Sequence, residues 1–317
     1  MSQYHGFMKK IIILIFSLSL VLSAGCLSTG PGDLDHPQNH DTRGLVLLAP
    51  MDPFPIFEGQ VQVAEIVQKD PPLPPLNYTL AYVMIMPGNA TPPHRLLGSS
   101  ELVYVIRGTA RIECDSETIM LGEEELAFLP EGILQSIAAV GQAPLHYLSV
   151  VDPPFTSEIE ISGEDLAAYP VMPDGTPVVV RDPGEGIEWD YETGTSIYTL
   201  VNPILMPEKG ISTRYSVAYA EILPGGYVAK NRLVGLNELI YVIEGEIVIT
   251  SEEEDLRVSA GSAGFVPAGT VKEYSNPGLE NAIILSFVDP PWRAERAEIL
   301  ADNLQGMRIP IFKIGFE

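Results

Sequence analysis

HRLLGSSELVYVIRG, from His94 to Gly108, and NRLVGLNELIYVIEG, from Asn231 to Gly245, are one pattern written twice, with the histidine kept once. Each holds a run of β-branched and aromatic residues, ELVYVI or ELIYVI, closed by glycine, the composition of a strand running into a tight turn. The likeness extends outward. YTLAYVMIMPG at Tyr78 to Gly88 matches YSVAYAEILPG at Tyr215 to Gly225, and VDPPF at Val151 matches VDPPW at Val288. Every matched pair lies 137 positions apart, so Tyr78–Pro154 and Tyr215–Pro291 align without a gap. A constant offset over such a span is the mark of duplication.

Between these anchors, TARIEC, ELAFLP and HYLSVV read as further strands, at a spacing typical of sandwiches and barrels. PPLPPLN is a stiff extended approach. SGEDLAAYP predicts a short helix capped by Ser162. PPWRAERAEILADNLQG predicts an amphipathic helix from Pro291 to Gly306, and MRIPIFKIGFE a closing strand.

The glycines, histidine and glutamate of the repeat resemble the cupin pattern G-x5-H-x-H-x4-E-x6-G. The first copy supplies Gly88, His94, Leu96, Glu101 and Gly108; the second supplies Gly225, Asn231, Leu233, Glu238 and Gly245. A second cupin pattern, G-x5-P-x-G-x2-H-x3-N, is met by Gly261, Pro267, Gly269, Lys272 and Asn276. The first copy answers it with Glu124, Pro130, Gly132 and Gln135. The resemblance implies an all-β chain of two tandem cupin barrels, each a double-stranded β-helix of the jelly-roll kind, with a few short helices. The expected boundaries are a signal peptide over 1–25, a polar tether over 26–43, an N-terminal cupin over 44–160, a linker over 161–195 and a C-terminal cupin over 196–317.

A cupin of the usual kind offers three imidazoles and a carboxylate to a divalent metal. Side chains two apart on a strand share a face, so His94 and position 96 look into one barrel. Here leucine stands at 96. The resemblance therefore leaves His94, Glu101 and Gln135 as candidate ligands for Mn2+ or another divalent metal in the N-terminal cupin. It leaves none expected in the C-terminal cupin, where Asn231, Glu238 and Lys272 become candidate ligand-binding residues. A protonated lysine cannot coordinate a metal; its ammonium would sit where the ion would have been and pair with Glu238. Arg95 and Arg232 point away from these positions and are expected in ion pairs. Tyr104 and Tyr241 are expected to pack, and His146 to be an ordinary strand histidine.

The 317 residues carry 42 acidic and 18 basic side chains, a formal charge of −24 that disfavours a nucleic-acid partner. Lys9 and Lys10 precede the apolar run IIILIFSLSLVLSAG, which has the flanks of a secretory signal, with an uncleaved anchor as the alternative reading. The following Cys26 makes it similar to a lipoprotein signal, with Cys26 as lipid anchor holding the chain to the outer face of the cell membrane. With Cys26 so used, Cys114 has no disulfide partner.

Three functional readings follow. One is a surface-anchored bicupin that binds a small polar ligand without turnover. Another rests on a resemblance to the ureidoglycine aminohydrolase group, fused cupins with a glutamine at the last ligand position, and implies a metal-dependent hydrolase working in the N-terminal cupin. The third is a structural role in a homo-oligomer. No catalytic residue can be named from the sequence.

Overall fold

A computed structural model describes residues 44–68, 73–115, 117–169, 175–191 and 193–300. The signal segment, Cys26, the tether and the MRIPIFKIGFE tail lie outside the described residues. Among the described residues no helix is long and apolar enough to cross a membrane.

The strands form four antiparallel sheets, two to a barrel. In the N-terminal barrel a seven-stranded sheet runs in the order Val178–Val180, Leu126–Leu129, Ser100–Arg107, Leu145–Asp152, Thr79–Ile85, Val61–Val67 and Phe54–Ile56. It faces a five-stranded sheet ordered Glu160–Ser162, His94–Leu96, Gln135–Ala139, Ala110–Cys114 and Thr118–Leu121. The C-terminal barrel repeats this plan strand for strand. Its seven-stranded sheet is closed at one edge by Val46–Leu48, paired with Ala263–Val266. These are the tandem jelly-roll barrels expected from the repeat, and the helices among the described residues are short 3-10 segments.

ELVYVI shows no polar alternation because the strand is buried on both faces. Val103 and Val105 point into the barrel, with Ala127 and Leu145. Leu102 and Tyr104 point outward into a second core shared with Tyr215, Tyr219, Tyr241, Phe265 and Phe287 of the other barrel. The seven-stranded sheets thus pack against each other. Tyr78 and Tyr215, themselves one repeat apart, meet with ring centroids 4.9 Å apart. Beside them the seam is locked twice. Asn77 gives its backbone N–H and side-chain amide to Asp289 at 2.6 and 2.7 Å. At the equivalent point, Arg214 gives its backbone N–H and Nε to Asp152, both at 2.7 Å.

Each motif ends on a glycine that tolerates no substitute. Gly108 has φ of 88°, and a Cβ there would lie 2.5 Å from Pro144 O; Gly245 repeats this at 72° with Asn281 O at 2.8 Å.

Of the two helices expected from the sequence, the first forms and the second does not. Gly163–Ala168 is a six-residue 3-10 helix with Ser162 at its N-cap position, but Ser162 makes no side-chain cap because it ends a strand paired with His94–Leu96. After Trp292, Ala294–Arg296 is a single 3-10 turn and Ala297–Ile299 is a strand against Tyr227–Leu233. Pairing with the open edge of the five-stranded sheet outweighs local helix preference there.

Candidate functional site

The N-terminal barrel brings its three expected ligands together. Gln135 and His94 are direct cross-strand partners, and His94, Glu101 and Gln135 are all buried. His94 Nδ1 lies 2.9 Å from Pro92 O, which can only accept, so Nδ1 carries the proton and Nε2 is the acceptor. Gln135 Nε2 donates to that Nε2 at 3.1 Å and gives its other hydrogen to Glu101 Oε2. Ser149 Oγ donates to Glu101 Oε1 at 2.5 Å.

These residues therefore satisfy one another around an amide nitrogen, which stands where a metal would have to stand. Among the described residues no three His, Cys, Asp or Glu side chains are placed to hold a metal ion. The donor set does not fit the expected Mn2+ or other divalent metal, and the metal assignment of His94, Glu101 and Gln135 is corrected accordingly.

A fourth member escaped the sequence reading. Glu160 faces the same interior from its strand, in register with Leu96 two places from His94. Burial, then repulsion from Glu101, pushes its carboxyl above the usual range, and His94 opposes the shift. The alternation in EIEIS, residues 158–162, is the signal that marks this strand, but it lies outside the ungapped repeat.

The C-terminal barrel keeps the same frame with other groups. Glu238 takes the place of Glu101, and Ser286 Oγ donates to its Oε1 at 2.6 Å, as Ser149 does in the first barrel. Lys272, at the position of Gln135 and 1% exposed, puts Nζ 3.2 Å from Glu238 Oε2. Tyr274 also donates to that oxygen. Burial lowers the Lys272 pKa and Glu238 opposes this. Asn231 replaces His94 almost atom for atom: its Nδ2 donates to Ala229 O at 2.9 Å, as His94 Nδ1 does to Pro92 O.

Above this cluster opens a cavity of about 150 Å³. Its walls are mainly apolar, including Ile197, Val228, Leu233 and Ile284, and Asn231, Glu238, Tyr274 and Ser286 supply polar points. Lys272 is beneath, not on the lining. Trp189 and Trp292 also line it, with rings 5.1 Å apart edge to face. Ala297 stands where the first barrel has Glu160, and that exchange helps to open the space. So Asn231 and Glu238 line the cavity, and Lys272 does not.

The remaining expectations fall on structural roles. Arg95 pairs with Asp115 at 2.9 Å and Arg232 with Glu298. His146 Nδ1 meets Tyr82 Oη at 2.6 Å, Tyr104 and Tyr241 lie in the seam, and Cys114 carries a free thiol.

The model of the cupin domain matches residues 81–151 and again 218–288. A germin-like protein, subfamily 2 member 2, of Arabidopsis thaliana is 27% identical over 123 residues, 37% of this chain and 55% of that protein's length. Among solved structures, oxalate decarboxylase from Bacillus subtilis superposes with a TM-score of 0.63 at 17% identity, covering 89% of this chain and 88% of the other. The oxalate decarboxylase formate complex of Lactobacillus farciminis gives 0.63 at 16%, covering 85% and 90%. The chain thus carries two stretches that match the cupin domain, has the fold of the oxalate decarboxylases, and is similar in sequence to part of a germin-like protein. These relatives correct the expected likeness to ureidoglycine aminohydrolase. Nothing in the comparisons supports the lipoprotein-type signal or an extracellular address.

Proposed function

We propose that this bicupin is a binding protein whose C-terminal barrel takes one small ligand without metal and without turnover. The observation that carries this reading is the buried Lys272–Glu238 pair, 3.2 Å apart, at the base of the open cavity. A fixed ammonium stands where a metal-dependent barrel needs an ion.

The cavity narrows the ligand class. A space of about 150 Å³ is the size that accommodates benzene in an apolar core. Tyr274 and Ser286 give their hydroxyl hydrogens to Glu238 and so present acceptors to the cavity. The favoured ligand is an apolar body with one hydrogen-bond-donating group, such as a small alcohol or phenol. This is less polar than the ligand expected from Asn231, Glu238 and Lys272. Oxalate, named for the structural relatives, is not carried over: at 16–18% identity the likeness is one of fold. A small dianion would also meet apolar walls and a charge pair already neutral within itself.

The test is calorimetric titration of the protein with benzyl alcohol, toluene and benzoate, before and after EDTA. Saturable binding of benzyl alcohol, tighter than toluene and indifferent to EDTA, is expected. Binding that EDTA abolishes, or none that Leu233→Trp blocks, overturns the reading.

A further inference from the structure

A second cavity, of about 200 Å³, opens at one end of the seam between the barrels. Tyr104, Val105, Ile106, Glu123 and Glu124 line it from the first barrel, and Ile243 and Glu244 from the second. Among the described residues no lysine or arginine pairs with the three carboxylates. Glu123 accepts from Gly108 N at 3.0 Å, and Glu124 has only a long contact, 3.4 Å, from Tyr219 Oη. Burial raises the Glu124 pKa, and Glu244, Glu221 and Asp182 raise it further.

Two observations point to a missing partner. Tyr104 lines the cavity with its side chain fully buried, and its hydroxyl has no hydrogen-bond partner. It lies close enough to Glu124, Tyr219 and Glu244 to feel their charges. An orphaned buried hydroxyl is costly and rare. The other end of the seam shows the second. There the repeat puts Tyr241 for Tyr104, Gly261 for Glu124, Tyr82 for Tyr219 and Arg107 for Glu244. The protein supplies its own base at that end: His146 bonds the Tyr82 hydroxyl at 2.6 Å, and the Arg107 charge acts on both. Among the described residues the acidic end has no such group.

We infer that this seam cavity binds a small organic cation, an alkylammonium whose head lies among Glu123, Glu124 and Glu244 and hydrogen-bonds the Tyr104 hydroxyl. Three features select it. No three carboxylates converge as a direct metal site among the described residues. Ile106 and Ile243 give an alkyl stem an apolar wall. A formal charge of −24 raises the local concentration of cations.

The experiment is calorimetric titration of the full chain with 1,4-diaminobutane dihydrochloride at fixed ionic strength. One saturable site per chain is expected. Glu124→Gly restores the residue that the second repeat carries and so keeps the left-handed backbone, at φ of 65° in Glu124 and 84° in Gly261. It and Glu244→Gln should each weaken binding by roughly tenfold, and Tyr104→Phe several-fold, with thermal melts reporting folding separately. Absence of saturable heat overturns the site. So does Tyr104→Phe binding with unchanged affinity, which would leave water as the hydroxyl's partner. Stoichiometric displacement by calcium chloride overturns the organic cation in favour of a metal.

Discussion

Gln135 decides what the first barrel can hold. Its amide nitrogen closes the triangle with His94 and Glu101, and Leu96 denies the site a second imidazole. The strand spacing is otherwise kept, so the loss is one of side chains and not of frame. Leu96→His with Gln135→His should therefore create divalent-metal binding that the native protein lacks. Metal content after incubation with manganese and gel filtration checks this; an empty double variant would mean that the frame itself has shifted. Glu160 gives a pH test of the same interior. Its folded pKa is raised above the ordinary 4.5, so the folded state holds the proton more tightly than the unfolded one. That contribution is fully present below pH 4.5 and is lost as pH rises through the raised value, with Glu101 and His94 the groups facing it. Glu160→Gln should match the native protein in urea unfolding at the acid end and exceed it near neutrality. In the second barrel, Lys272→Met strands the Glu238 carboxylate and should cost about 3–5 kcal/mol, whereas adding Glu238→Gln should recover most of it. Equal stability of the single and double variants would dismiss the pair as a unit.

At the scale of elements, the motif strands were legible because their signals are local: glycine-closed turns, β-branched runs, and a fixed 137-residue offset. Arg95 and Arg232 were read correctly as ion pairs from alternation alone. Signals that depend on a distant partner were not legible. PPWRAERAEILADNLQG has helical periodicity, yet Ala297–Ile299 is held as a strand by Tyr227–Leu233, 64 to 68 positions earlier in the paired residues. Glu160 was missed for the same reason. Val46–Leu48 is the extreme case, since it precedes the first barrel in sequence and completes the second. Leu45 beside it is buried in the C-terminal core with Ile240 and Val258. Leu45→Ala should therefore destabilise by about 2–4 kcal/mol and loosen the distant Ala263–Val266 edge. Amide hydrogen exchange would locate the loss; faster exchange confined to the N-terminal barrel would contradict this pairing.

At the scale of the whole molecule, the outer faces of the two seven-stranded sheets form one aromatic core. That core includes Tyr78, Tyr104 and Phe128 from one barrel and Tyr215, Tyr241 and Phe287 from the other. Separating the barrels would expose these large side chains together, at roughly 1.5–3 kcal/mol for each large apolar side chain. The barrels should therefore unfold in a single calorimetric transition. The Asn77–Asp289 and Arg214–Asp152 locks fix the alignment of this seam, and they differ in kind. Asp289 receives two neutral donors and its carboxyl is raised, by burial first. Asp152 receives a guanidinium that is half exposed. Asp289→Ala leaves the Asn77 donors unmet in a partly buried place and should cost about 1–3 kcal/mol. The cost of Asp152→Ala should shrink more with added salt than that of Asp289→Ala, because salt screens the partly exposed ion pair of the native protein. With both removed, the midpoint should fall while the transition stays single, since the aromatic core is larger than either lock. Two resolved transitions in the double variant would show that the polar locks, and not the shared core, make the two barrels one cooperative unit.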